Sequence, residues 1–179
     1  MDVSRILKYA SFFLFSIAGT WQSDQLDLIR SFNKNDVKYV VIGGGALELF
    51  GIRDSSGDID VYIETSPENS FKTYKALAEF GVPLRSMGVT PHTFCESEEG
   101  PPQNLRIGSF GEILTHVTGM PMDFQTAFAN KSVIELKGVK INALTPQGIA
   151  DMKRSTQRSK DLEDLKLLKT KGIKPSKVK

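Results

Sequence analysis

Val40-Val41-Ile42 runs directly into Gly43-Gly44-Gly45 and then the short amphipathic stretch Ala46-Leu47-Glu48-Leu49-Phe50. A second apolar run, with Ile59, Val61 and Ile63 in alternation, opens on two carboxylates one residue apart, Asp58 and Asp60. This order predicts a buried strand, a glycine turn, a helix ended by Gly51, and a second strand. Successive strand side chains face opposite sides, so Asp58 and Asp60 share one face while Ile59 and Val61 enter the core. Carboxylates held that close raise each other's pKa unless a cation lies between them, and a divalent metal site is the economical outcome. The glycines let a phosphate approach backbone N–H groups at a helix start, where the macrodipole favours an anion. Metal site and phosphate cradle together point to phosphoryl or nucleotidyl transfer.

The remainder alternates helix and strand signals, without an internal repeat, as an α/β chain does. Residues 24–34 carry Leu26, Leu28, Ile29 and Phe32 at helical spacing, with Asp24 as N-cap. Residues 37–42 and 58–63 are the two strands already named, and Pro67 opens a helix that runs to about Phe80 and stops at Gly81. Pro91, Pro101 and Pro102, with Glu96, Glu98 and Glu99, make 88–111 loop and edge strand, a stretch suited to covering an active site. Residues 112–117 alternate as a strand, and 123–130 form a short helix with Phe124 and Phe128. Lys137-Gly138 joins strands at 132–136 and 139–142 as a hairpin, and helices follow at 146–155 and 160–171.

With 179 residues, 40% hydrophobic and 25% charged, the chain can bury one core, and one domain over 24–171 is expected. Residues 1–23 are an apolar N-terminal segment. Arg5 and Lys8 precede the apolar run 9–19, which resembles a secretory signal and is too short to span a bilayer. A helix packed on the domain and a start codon placed upstream of the true one are the alternatives. Cys95 is the single cysteine, which excludes an intrachain disulfide and agrees with a reducing cytoplasm; no membrane partner is expected. The net charge is only +2, yet from Lys153 onward ten basic residues face three acidic ones, ending in a basic tail at 172–179. That asymmetry reads as a polyanion-binding edge or as a solvated helix with a basic tail. His92 and His116 lack a third nitrogen or sulfur ligand at suitable spacing, so zinc is not expected.

The strand, the glycine pair Gly43-Gly44, the helix and Asp58-Ile59-Asp60 resemble the nucleotidyltransferase superfamily that includes DNA polymerase beta and kanamycin nucleotidyltransferase. The 13 residues from Gly45 through Gly57 place the spacing at the long end for that group. More narrowly, Ile42 to Ala46, Gly51-Ile52-Arg53 and Ser56 to Asp60 resemble small bacterial nucleotidyltransferase-like proteins, some related to toxin-antitoxin nucleotidyltransferases. Glu112-Ile113-Leu114-Thr115, with Gly119 and Asp123-Phe124, is similar to the segment that supplies the group's third acid. Lys153, Arg158, Lys160-Asp161-Leu162 and Asp164-Leu165 are similar to its closing helix.

The resemblance implies an α/β (α+β) fold with a small mixed sheet flanked by helices, and transfer of a nucleoside monophosphate from a nucleoside triphosphate to an acceptor hydroxyl. It implies two Mg2+ ions, with Mn2+ as substitute, bridged by Asp58 and Asp60, and a third acid at Glu112. Glutamate is one methylene longer than the usual aspartate, and Mg2+ demands tight octahedral geometry, so the second-metal site is expected to be weakened. Asp123 is the fallback third acid, though its setting suits helix capping better. Nucleotide binding falls to Gly43, Gly44, Arg53, Ser55, Ser56, Lys153, Arg158 and Lys160. Arg53 either binds phosphate or braces Asp58, Ser55 and Ser56 either bind the triphosphate or satisfy their loop, and Asp161 and Asp164 fix helix packing through local ion pairs. The acceptor (tRNA, protein or small molecule) is not written in these motifs. The other reading is a catalytically degenerate member that binds a partner protein or RNA in a toxin-antitoxin-like pair, motivated by Glu112 and the basic C-terminal end.

Overall fold

The alternating apolar runs become one mixed sheet because the central strands each have an apolar face to bury. The structure, a computed structural model, describes residues 21–54, 56–156 and 158–176. The apolar run read within 1–20, Ser55 and the last three residues of the basic tail lie outside the described residues. Strand β1 (Tyr39–Ile42) is buried along its whole length and pairs antiparallel with β2 (Ile59–Ile63), which sets Ile42 opposite Asp60. β3 (Leu105–Ile107) is the edge strand expected within 88–111, and it pairs antiparallel with β4 (Gly111–Leu114). β4 runs parallel to β2. β5 (Ser132–Leu136) and β6 (Val139–Ala143) form the predicted hairpin, and β6 joins β1 in parallel. The sheet order is therefore β3-β4-β2-β1-β6-β5. Lys137 and Gly138 both have positive φ, 50° and 74°, as a two-residue turn matched to strand twist requires.

Six helices flank this sheet among the described residues. In α1 (Ser23–Lys34), Leu26, Leu28, Ile29 and Phe32 are buried. The expected cap at Asp24 is corrected: the Gln25 side chain accepts the Gln22 N–H at 2.9 Å, and Asp24 falls inside the first turn. The predicted glycine turn is corrected as well. Helix α2 (Gly43–Leu49) begins on the glycines themselves, and the strand passes into it with Gly43 at φ +66°. Helix α3 (Pro67–Phe80) starts at the predicted proline, where the Ser66 hydroxyl accepts the Asn69 N–H at 3.3 Å, and stops at left-handed Gly81. α4 (Phe124–Ala129) is capped by Asp123, whose carboxylate accepts the Thr126 N–H at 2.8 Å. Asp123 is thereby a helix cap and not an acid of the site. α5 (Pro146–Thr156) and α6 (Ser159–Thr170) pack on each other at the C-terminal end. The buried residues form one cluster that runs from Trp21 to Leu168. No helix among the described residues is long and apolar enough to cross a membrane.

Candidate active site

Strand register builds the site. Ile59 and Val61 are fully buried, so the residues between and before them turn to the opposite face of β2, as the alternation requires. Parallel pairing of β2 with β4 puts Glu112 beside Asp60, and antiparallel pairing of β4 with β3 puts Arg106 beside Glu112. A row of two acids and a base thus crosses three adjacent strands. Asp58, one residue before β2, joins them in a cavity of about 700 Å³. Lys153 of α5, Arg158 at the N-cap of α6 and Lys160 of α6 also line it, as do Gly43 and Gly44.

Asp60 is the most perturbed of these groups. Burial, then repulsion from Asp58 and Glu112, pushes its carboxyl up to about 6, against the opposing pull of Lys160 and Lys153. A Cβ at Gly43 would lie 2.7 Å from Asp60 Oδ2, so the missing side chain at Gly43 makes room for this carboxylate. Gly44 has a different use. A Cβ there would lie 3.0 Å from that of Ser56 and would press on the loop that carries the acids.

Two residues expected at the nucleotide lie off the cavity. The Ser56 backbone N–H donates to Glu48 at 3.1 Å and its hydroxyl donates to the Asp58 carbonyl at 2.9 Å, which is the loop-satisfying alternative. Arg53 is not in the cavity lining; its Nη1 donates to Asp164 Oδ1 at 2.9 Å, 111 residues away. The pairs of Asp161 and Asp164 are therefore not merely local. Lys153, 4% exposed at its side chain, lies 3.0 Å from Asp161 and 2.6 Å from Asp164. Asp161 also accepts from Thr156 Oγ1 at 2.7 Å and Arg158 Nε at 2.8 Å. Burial by itself would raise the Asp161 carboxyl, but the donors Arg158, Thr156 and Lys153 outweigh it and hold it well below the usual carboxylate range. Lys153 so reaches the cavity wall as the centre of a buried ion network, whereas Arg158 and Lys160 are exposed there.

Asp58, Asp60 and Glu112 offer hard oxygen ligands of the kind Mg2+ and Mn2+ take. Their donor chemistry fits such an ion, and the strain on Asp60 is what a cation would relieve. Among the described residues, however, no group of three or more His, Cys, Asp and Glu side chains already stands close enough to hold a metal. Arg106 stands against two of the three acids, 3.8 Å from Asp58 Oδ2 and 3.9 Å from Glu112 Oε2. Sequence reasoning missed Arg106, and also Asn104 and His116 on the same wall. The alternation Leu105-Arg106-Ile107 was a signal, since it places a charged side chain on the open face of an edge strand. Asn104 Oδ1 accepts from the Thr115 N–H at 2.8 Å and fixes the end of β4.

No protein-family model matches this chain. No curated protein matches it either. Among solved structures it is similar to a Thermotoga maritima protein described as a "putative nucleotidyltransferase", with 19% identity and a TM-score of 0.42 over 81% of this chain and 86% of that one.

Proposed function

We propose that this chain is a divalent-cation-dependent nucleotidyltransferase of the polymerase-beta-like fold that moves a nucleoside monophosphate from a nucleoside triphosphate to an acceptor hydroxyl. The observation that carries this reading is the opposition of charge across one cavity. Asp58, Asp60 and Glu112 face Lys153, Arg158 and Lys160 over a space large enough for a nucleotide. A polyphosphate bound between them would be neutralised on one side by fixed cations and on the other by ions that the carboxylates retain.

Asp58, Asp60 and Glu112 would hold Mg2+ or Mn2+, which when bound neutralises phosphate charge and makes the acceptor hydroxyl more acidic. Arg158 and Lys160 bind the phosphate oxygens, and the Lys153 network keeps α5 and α6 at the right distance for that. Gly43 and Gly44 line the cavity, where backbone without a side chain lets the nucleotide come close. The acceptor oxygen bonds to the α-phosphorus as the bond from that phosphorus to the departing pyrophosphate breaks, and the hydroxyl proton passes to Glu112. Holding both partners in line is the chief contribution of the protein. The reaction draws on the cytoplasmic triphosphate pool, and its acceptor is a tRNA, a protein or a small molecule.

Calorimetry with Mg2+ and each nucleoside triphosphate tests this. Saturable binding is expected, weakened at least about 10-fold by joint Asp58→Asn and Asp60→Asn substitution, a loss of about 1.4 kcal/mol or more. Absence of binding, or indifference to the two substitutions, overturns it. Labelled triphosphates in a cell extract would then identify the acceptor. The contact of Arg106 with Asp58 and Glu112 favours a second reading, a non-catalytic member of a toxin-antitoxin-like pair. Co-purification with a partner that survives loss of both aspartates, without any transfer of label, would support that one.

A further inference from the structure

We infer that Arg106 is a built-in counter-cation of the acidic cluster, and that a divalent cation enters the site by displacing it. The inference rests on the metal-dependent reading above. β3 and β4 are paired so that Arg106 and Glu112 are direct cross-strand neighbours, and Glu112 is in turn the neighbour of Asp60. Cross-strand neighbours lie within reach of each other's side chains, so the register brings the guanidinium beside this row of acids. It is shared between Asp58 and Glu112, at 3.8 and 3.9 Å. Both contacts are longer than a hydrogen bond, and the Arg106 side chain is 59% exposed, on the sheet's edge strand.

Such a contact is strong enough to neutralise Asp58 and Glu112 in part, and weak enough to give way to a doubly charged ion. A long side chain at an edge can swing out without disturbing the core. The same contact accounts for acids that share a cavity without being gathered into a ligand cluster. A single positive charge placed between two carboxylates satisfies them at a separation that an ion would shorten. Cation affinity is then the difference between what the three acids offer and what Arg106 already supplies. This arginine opposes metal binding, whereas a structural residue or a phosphate ligand would leave it unchanged or assist it.

Mn2+ titration of the full chain, followed by the electron paramagnetic resonance of the free ion and without nucleotide, distinguishes these roles. Arg106→Gln is expected to bind Mn2+ about 5-fold more tightly than the unmodified chain, as loss of two weak ion pairs implies. Arg106→Lys, which keeps the charge, is expected to stay within about 2-fold of the unmodified chain, and added salt should shrink the gain of the glutamine variant. Thermal unfolding of each variant checks that it is folded. Equal or weaker Mn2+ binding by Arg106→Gln, with clear binding by the unmodified chain, overturns the inference alone. Failure of the unmodified chain and both variants to bind Mn2+ overturns the metal-dependent reading and this inference with it.

Discussion

Gly43 combines two constraints that an alanine would break at once. Its φ of +66° costs an L-residue about 1–2 kcal/mol, and a Cβ would enter the space of Asp60 Oδ2. Gly43→Ala is expected to lower unfolding free energy by about 2 kcal/mol in a urea titration and to weaken nucleotide binding, because Asp60 must move. A loss below about 0.5 kcal/mol would contradict both constraints, since the backbone cost alone exceeds it. Asp60 itself is held where ionisation is uphill. Its folded pKa, about 6, lies above the unfolded value, so its contribution to stability is present at low pH and disappears as pH rises through 6. Asp60→Asn should therefore stabilise the chain at pH 7 in EDTA, on the order of 1–3 kcal/mol, while impairing cation binding. An unchanged or lower melting temperature in EDTA would contradict this.

The clamp that holds the C-terminal helices is a property of α5 and α6 together. Lys153 projects from α5 between Asp161 and Asp164 of α6, and Arg53 reaches Asp164 from the segment after α2. Removing one partner of a buried ion network leaves the others charged and unpaired, so Lys153→Met should cost about 3–5 kcal/mol in denaturant unfolding. A cost near zero would mean that the helices are held by apolar packing alone. Much at this scale was legible beforehand. Pro67, Gly81, Asp123, Lys137-Gly138 and Pro146 each mark an element end through a preference that acts within a few residues, and the structure places ends at all of them. The N-cap at Asp24 failed for a local reason too, since the helix begins two residues earlier, where Gln25 accepts the Gln22 N–H. The helix beginning on Gly43 was less legible, because three glycines in sequence normally argue for a turn.

For the molecule as a whole, acid stability follows from the Lys153 network. Asp161 has a folded pKa below the unfolded one, so below about pH 4 the unfolded chain binds the additional proton and stability falls as pH falls. Its contribution is complete above the unfolded value. The urea midpoint should therefore decline steeply from about pH 4 to 2, and Asp161→Asn should be less stable at pH 7 and show a shallower decline. Parallel declines for both proteins would exclude Asp161 as the source.

The sequence alone determined that Asp58 and Asp60 share a face, that the chain alternates helix and strand, and where most elements begin and end. Each of these depends on residue order within a few positions. Only the tertiary structure decided that Arg53 serves Asp164 and that Lys153 is buried as an ion-pair centre, since the Arg53 partner lies 111 residues along the chain. It also decided that Glu112 and Arg106 stand in one row beside Asp60. That row exists because β4 settles between β2 and β3, and the choice of neighbouring strand comes from burial of whole sheet faces rather than from any local preference.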